Sequence, residues 1–161
     1  QPKIKIRGLD GRVWTYFSLQ GICQWPLEQQ QKITKLNIRR NINWTSKKCT
    51  TIVVPEVISN LTNLSSFLWH PDITELPKSI DQLEKLTSID CSRVRLSKLH
   101  NSFCNLQQVT TIDFRQNNFR EIPLILSEMH NLKKIRWAHN ILTKFYAKIS
   151  MKDILPTCRV I

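Results

Sequence analysis

Apolar residues recur at fixed offsets along the middle of the chain. From Leu86 they stand at offsets 0, 3, 5, 8, 10, 13, 17 and 20, and from Val109, 23 residues later, large apolar residues or Asn fill the same offsets. Leu132 opens a further copy, Leu64 opens an earlier one shortened by one residue, and Ile33 opens the first. A spacing that is preserved over two full periods predicts a repeat architecture with one strand in each unit.

The alternation within each copy predicts how one unit folds. Because successive side chains of a strand point to opposite faces, offsets 0, 3 and 5 face a core and offsets 1, 2, 4, 6 and 7 face solvent. A single unit cannot bury its apolar face, so units must stack. We therefore predict an α/β fold: a short right-handed solenoid with a concave parallel β-sheet of about five strands, a convex side of short helices or loops, and caps at both ends.

Two copies carry the residues of a known consensus. The chain reads VTTIDFRQNNFREIP over 109–123 and LKKIRWAHNIL over 132–142, which is similar to L-x-x-L-x-L-x-x-N-x-L-x-x-L-P. Over about 33–145 the chain thus resembles the leucine-rich-repeat proteins, and in repeat length it resembles their intracellular Ras-associated and plant-type members. This resemblance implies a non-catalytic domain for protein–protein interaction.

Two departures from the consensus bear on the local structure. Asn at offset 8 is expected to satisfy backbone groups at the turn that leaves the strand. Val94 occupies that offset in the third copy, so we expect its turn to be looser or hydrated. Proline is present at the later consensus position in Pro55, Pro77 and Pro123, but His100 replaces it in the third copy.

The repeats divide the chain into three predicted segments. Residues 1–32 are expected to form an N-terminal cap, a hairpin followed by a short helix, because terminal units of a stack expose apolar core. Residues 33–145 hold the repeats, with an insertion near 42–50 that delays the end of the first copy. Residues 146–161 are expected to form a C-terminal cap, a helix and then an exit tail from Pro156.

Charge is distributed unevenly over these segments. The chain has 161 residues with 24 Lys and Arg against 12 Asp and Glu, a net charge of +12. Residues 1–63 carry +7, residues 64–129 carry −1 and residues 130–161 carry +6. The basic excess therefore belongs to the two ends of the predicted solenoid.

The solvent-facing offsets supply the candidate partner-binding residues. On the predicted concave face they are Lys35, Asn37, Arg39, Arg40, His70, Asp90, Arg93, Asp113, Arg115, Lys134, Arg136 and His139. Such a face suits a protein partner with an acidic or mixed-charge surface, because complementary charge sets orientation and association rate. Trp44, in the insertion, is a further candidate since Trp is enriched at interface hot spots. The alternative is an ordinary solvated sheet, in which Asp90 or Asp113 pairs with nearby arginines.

The sequence argues against several functional classes. Phosphate-cradling glycine motifs are absent, which argues against nucleotide enzymes, and we predict no enzyme activity and no cofactor. The five cysteines lack a C-x-x-C pair, so we expect mostly buried thiols and no metal site. Trp69 and Trp137 stand at offset 5 and are predicted to lie in the core. Nucleic acid is a less favoured partner, since no recognition module accompanies the positive charge.

The sequence favours a cytoplasmic protein. No apolar stretch approaches the roughly 20 residues needed to span a bilayer, and the first residues lack the pattern of a signal peptide. A secreted or extracellular location is the alternative, because glycosylation sequons stand at Asn43, Asn60 and Asn63. The alternative function is the recognition part of a larger receptor, an immune sensor or a secreted effector.

Overall fold

A computed structural model describes most of the predicted repeats. The described residues are 3–8, 13–16, 22, 24–39, 54–141 and 151–161. The insertion near 42–50 with its Trp44, the candidate Arg40 and most of the predicted helix 146–155 lie outside them. In this part of the chain no helix is both long and apolar enough to cross a membrane.

The described strands form one sheet. Along the chain they are β1 (Lys3–Gly8), β2 (Val13–Tyr16), β3 (Ile33–Arg39), β4 (Ser66–Trp69), β5 (Ser88–Asp90), β6 (Thr111–Asp113), β7 (Lys134–Arg136) and β8 (Arg159–Val160). Their order in the sheet is β2-β1-β3-β4-β5-β6-β7-β8. β1 pairs antiparallel with both β2 and β3, whereas β3 to β8 are parallel.

The parallel part of the sheet has six strands, where the sequence predicted about five. The additional strand, β8, lies in the segment expected to be an exit tail. Arg159 N–H donates to Lys133 O at 2.8 Å, and Ile161 N–H donates to Ile135 O at 2.9 Å. A strand of two residues is too short to show an alternating pattern, which explains why the periodicity did not reveal it.

The core is a stack of equivalent residues. Phe67, Ile89, Ile112 and Ile135 are register partners on β4 to β7, at intervals of 22, 23 and 23 residues. All four are at most 2% exposed. Each side chain therefore covers the apolar surface of the preceding unit, which no unit could bury by itself.

The predicted core position of the two repeat tryptophans is confirmed. Trp69 and Trp137 are buried, and Trp69 stacks on Phe67 with ring centroids 5.9 Å apart. Trp137 packs against Phe119 at 4.8 Å and meets the edge of Phe114 at 6.3 Å. These side chains fill the core and are not available as recognition aromatics.

Short helices lie opposite the sheet. Those with described bounds are four 3₁₀ helices, Glu56–Asn60, Lys78–Gln82, Asn101–Asn105 and Leu124–Glu128, and two α-helices, α1 (Leu27–Gln31) and α2 (Met151–Ile154). Pro55, Pro77 and Pro123 precede three of the 3₁₀ helices, where a fixed φ suits a helix start and no N–H is needed.

His100 stands where other repeats have proline, and its side chain stabilises the start of the helix by hydrogen bonding. Its Nδ1 accepts the backbone N–H of Ser102 at 3.2 Å and lies 2.9 Å from Ser102 Oγ. An imidazole nitrogen thus caps the third 3₁₀ helix, and the helix Asn101–Asn105 keeps the same length as the others. The departure from the consensus changes the cap and leaves the element in place.

Candidate protein-binding face

The concave face consists of the side chains that point from the parallel strands away from the core. It includes candidates at offsets 2 and 4 of the repeat, and candidates at offsets 6 and 7 lie where the chain leaves each strand. Lys35, Arg93, Arg115 and His139 are exposed, Asn37, His70, Asp90, Lys134 and Arg136 are half-buried, and Asp113 is buried. Arg39 ends β3. The fold therefore brings the candidates at offsets 2 and 4 onto one face of the sheet.

Two arginines enclose the carboxylate of Asp113. Arg115 binds it side-on, with Nε to Oδ1 at 3.0 Å and Nη2 to Oδ2 at 2.7 Å, while Arg136 Nη1 approaches Oδ2 at 3.6 Å. The side chain of Asp113 is only 6% exposed. A buried carboxylate needs such partners, because removing a charge from water is costly. Asp113 is thus neutralised within the molecule.

Asp90 lies beside Asp113 in register on the neighbouring strand and has partners of its own. Its Oδ1 accepts the backbone N–H of Ser92 at 3.1 Å and the Ser92 hydroxyl at 2.8 Å, and His70 Nε2 lies 3.5 Å away. Burial disfavours the charged form, but the donors of His70 and Ser92 prevail and hold the pKa of Asp90 below its ordinary value.

The fold thus brings a serine, a histidine and an aspartate together, although in an unproductive order. A serine nucleophile must donate its proton to the histidine, which the aspartate orients from the other side. Here Ser92 donates to Asp90, and the histidine approaches the same carboxylate oxygen. The cluster of His70, Asp90 and Ser92 therefore stabilises a carboxylate and does not activate the hydroxyl.

Three residues that follow β5, β6 and β7 adopt an unusual backbone conformation. Arg93, Gln116 and His139 occupy the same offset in three successive repeats, with φ of 62°, 56° and 63°. Left-handed conformations at non-glycine residues are uncommon. Arg93 Nε donates to Gln116 Oε1 of the next repeat, so side chains link neighbouring turns along this edge.

Asparagines tie each turn to the one before it. Asn117 Nδ2 donates to Phe114 O of its own repeat at 3.1 Å and to Cys91 O of the preceding repeat at 2.7 Å. Its Oδ1 accepts the N–H groups of Val94 at 3.3 Å and Leu96 at 2.8 Å. The buried amide therefore satisfies four backbone groups at once.

This bridging corrects the expectation that the turn at Val94 is looser or hydrated. Asn117 reaches back to bind that turn, and Val94 itself is fully buried. An asparagine at position 94 would serve the preceding repeat, where Ile73 N–H instead donates directly to Val94 O at 2.7 Å. A missing asparagine thus affects the repeat before its own.

Three described basic side chains within the parallel strands have no partner among the described residues. They are Lys35 on β3, Lys134 on β7 and Arg159 on β8, and none forms an ion pair or side-chain hydrogen bond. Sequence reasoning missed Arg159, because it counted only five strands; its position opposite Lys134 in the register places it in line with the other two.

The described thiols suit packing better than chemistry. Cys91 and Cys158 are buried and Cys104 is half-buried, and all three are free. Burial raises the pKa of Cys91 well above its ordinary value, because a thiolate in the core would lose its hydration. Over the described ranges, no group of three His, Cys, Asp or Glu side chains could hold a metal ion.

No family model and no curated protein matches the sequence. Solved structures do match. A leucine-rich-repeat protein of Leptospira interrogans shares 20% identity over 85% of this chain and 39% of its own length, with a TM-score of 0.59. An internalin of Listeria monocytogenes shares 18% identity over 68% of this chain and 31% of its own length, with a TM-score of 0.56. The functional domain of InlJ from the same organism, which includes a cysteine ladder, shares 20% identity over 85% of this chain and 26% of its own length, with a TM-score of 0.57.

The chain therefore spans less than two fifths of the length of each of these structures. At such identities the likeness concerns the fold. It agrees with the periodic core and the parallel sheet of this chain. The chain has the leucine-rich-repeat fold.

Proposed function

We propose that this chain is a non-catalytic protein–protein interaction domain that binds its partner through the concave face. The observation that supports this most directly is the contrast between satisfied and free charge on that face. Asp113 is enclosed by its own arginines, whereas Lys35, Lys134 and Arg159 have no partner in the described part of the chain. Solvated cations on a rigid repeat scaffold are free to meet a partner's carboxylates.

The partner's contact surface is acidic or of mixed charge. The candidate residues named from the sequence contribute unequally to it: Arg115 and Arg136 are engaged with Asp113, so the available positive charge lies nearer the ends of the sheet. A contact of Trp44 with the same partner remains a prediction from the sequence. We place the domain in the cytoplasm, with a secreted or extracellular location as the alternative.

Nucleic acid is a less favourable partner for this face. Binding to single strands commonly uses aromatic side chains on which bases stack. Offsets 2 and 4 of the described parallel strands carry no Phe, Tyr or Trp, and two carboxylates interrupt the basic positions. A phosphate backbone would find no excess of positive charge at the middle of the sheet, because Asp90 and Asp113 balance Arg115 and Arg136.

Affinity capture with a matched pair of charge-reversed variants tests the proposal. The first variant combines Lys35→Glu, Lys134→Glu and Arg159→Glu; the control combines Lys78→Glu, Lys85→Glu and Arg120→Glu, which are exposed and away from the concave face. We expect the first variant to capture at least about tenfold less partner than the wild type, and the control to capture as much as the wild type. Equal recovery by all three proteins overturns the proposal. Loss of the partner on nuclease treatment, with a steep salt dependence, would favour nucleic acid instead.

A second candidate function uses the same face in a larger setting. The structures that share the fold are two to four times longer than the matched part of this chain. This agrees with a role of the domain as the recognition part of a larger receptor, an immune sensor or a secreted effector. Sequencing of the complete transcript separates the two, because a signal segment or a fused catalytic domain would favour the second.

A further inference from the structure

One row of side chains crosses the whole parallel sheet. Each of the six strands contributes one residue, and register pairing aligns them in the order Lys35, Ser66, Ser88, Thr111, Lys134 and Arg159. We call these residues the polar row. It has cations at its ends and three hydroxyls in the middle. All six side chains face away from the core, because their successors in the strands face into it.

The middle hydroxyls of the polar row are free. Ser66, Ser88 and Thr111 make no side-chain hydrogen bond to any described residue. The residues immediately before β5 and β6 behave differently: Thr87 Oγ1 donates to Ser65 O at 2.9 Å, and Thr110 Oγ1 donates to Thr87 O at 3.3 Å. The hydroxyls of Thr87 and Thr110 thus bind backbone carbonyls, while those of Ser88 and Thr111, the next residues, are available to solvent or a ligand.

The polar row runs through a shallow depression of about 230 Å³. The depression is lined by four row members, Ser66, Ser88, Thr111 and Lys134, and by Leu68, Asp90, Asp113 and Arg136 beside them. Because Asp113 is neutralised by its arginines, the remaining negative charge next to the hydroxyls is that of Asp90. The row is therefore positive at both ends, and the charges beside its centre balance, because Asp90 and Asp113 offset Arg115 and Arg136.

We infer that the polar row binds an extended peptide segment of the partner, lying across the strands, with acidic residues at its two ends. The inference rests on the proposed function and specifies the ligand. Carboxylates pair with Lys35 at one end and with Lys134 or Arg159 at the other, while the hydroxyls bind peptide carbonyls and N–H groups. An acidic residue at the centre is disfavoured, because it would lie beside Asp90 and find no unpaired cation of the polar row there.

The spacing of the strands fixes the length of the segment. Lys35 and Lys134 are four strands apart, or about 19 Å at about 4.8 Å per strand. An extended peptide rises about 3.3 Å per residue, so the two acidic residues are about six positions apart. Arg159 lies one strand further and extends the reach by one or two residues.

Peptide isomers test the charge pattern directly. The probe is the capped heptapeptide Glu-Ser-Ala-Ser-Ala-Ser-Glu, and its isomer Ser-Ala-Glu-Ser-Glu-Ala-Ser carries both acids near the centre. Titration of ¹⁵N-labelled protein should give a dissociation constant for the probe at least about tenfold lower than for the isomer, with the largest shifts at Ser66, Ser88 and Thr111. Equal affinities, or no binding of either peptide at low millimolar concentration, overturn the inference.

Two variants with matched controls locate the site. Ser88→Ala with Thr111→Val, and Lys35→Gln with Lys134→Gln, should each weaken the probe about fivefold or more. Thr87→Val with Thr110→Val, which alters the backbone-bound hydroxyls, and Lys78→Gln should leave its affinity unchanged. Equal effects of row and control variants overturn the assignment.

The result also separates this inference from the proposed function. Loss of a captured partner on reversal of Lys35, Lys134 and Arg159, together with no difference between the isomers, rejects the extended acidic segment and leaves the concave-face function standing. Preferential binding of the probe together with undiminished capture rejects the proposed function.

Discussion

The middle and the ends of the sheet use charged residues differently. On β5 and β6, Asp90 and Asp113 are bound by neighbouring side chains, and Asp113 is also largely removed from water. On β3, β7 and β8 the basic residues of the polar row have no such partners among the described residues. The comparison teaches that net charge is a poor guide to available charge, because each ion counts for binding only if the molecule has not already neutralised it.

The strongest test of the middle concerns its buried amide. Asn117→Ala removes the bonds to Cys91 O and Leu96 N–H and leaves those buried backbone groups unsatisfied. We expect a loss of about 3 kcal/mol in the free energy of unfolding, since each orphaned group costs about 1 to 3 kcal/mol. Urea unfolding followed by circular dichroism measures it.

Asn118→Ala is the matched control for this prediction. Asn118 is adjacent, half-buried and of the same type, but its side chain makes no hydrogen bond with a described residue. We expect its substitution to cost less than about 0.5 kcal/mol. Similar losses for both variants would mean that the amide bridge does not hold the central turns.

The fold was predictable because it depends on a period that every unit repeats. Offsets 0, 3 and 5 carry the core in each copy, and Trp69 and Trp137 followed the rule. The bridging of Asn117 was not predictable from one repeat, because its amide serves the turn of the preceding unit. Likewise β8 depends on two residues whose strand character comes from β7 and not from their own pattern.

The arginine clamp in the middle should matter next. Asp113→Asn keeps the shape of the side chain but leaves Arg115 and Arg136 facing each other without a carboxylate. We expect a loss of about 1 to 2 kcal/mol in the free energy of unfolding at low salt, smaller at high salt because salt screens the repulsion.

The control for the clamp is an exposed ion pair. Lys98 Nζ lies 2.7 Å from Glu75 Oε2, but both side chains are more than half exposed. Glu75→Gln should cost at most about 0.5 kcal/mol, as surface pairs usually do. A larger effect at Glu75 than at Asp113 would contradict the contrast between enclosed and solvated charge.

The acid response of the middle provides a smaller effect. The donors of His70 and Ser92 lower the pKa of Asp90, so its carboxylate stabilises the fold above the ordinary aspartate pKa and loses this contribution as pH falls through the lowered pKa. Ser92→Ala should move the pKa of Asp90 upward and reduce the acid-induced loss of stability, by under about 1 kcal/mol between pH 7 and pH 3.

Carbon-13 titration of the Asp90 carboxyl measures the pKa, and urea unfolding at the two pH values measures the stability. Ser97→Ala, at an exposed hydroxyl, is the control and should change neither. An unchanged pKa of Asp90 in Ser92→Ala would show that the serine does not stabilise the charged form.

The candidate site was only partly predictable. Alternation assigned Lys35, Asp113 and Lys134 to the concave face, because offset alone decides the face of a strand. Which cations stay free was not predictable, since that depends on distances between repeats: Arg136 reaches Asp113, whereas Lys134, two residues earlier, has no described partner. The free hydroxyl at Ser88 and the bonded one at Thr87 also look alike in the sequence.

The smallest effect is expected at the ends of the sheet. Lys134→Gln with Arg159→Gln removes two cations that have no described partner, so the free energy of unfolding should change by less than about 0.5 kcal/mol. At low salt the change should be a slight gain, because a chain with a net charge of +12 repels itself. Urea unfolding at low and high salt measures both effects. A loss above about 1 kcal/mol would mean that these cations stabilise the fold, whereas a neutral result together with weaker binding of the acidic-ended peptide separates binding from structure.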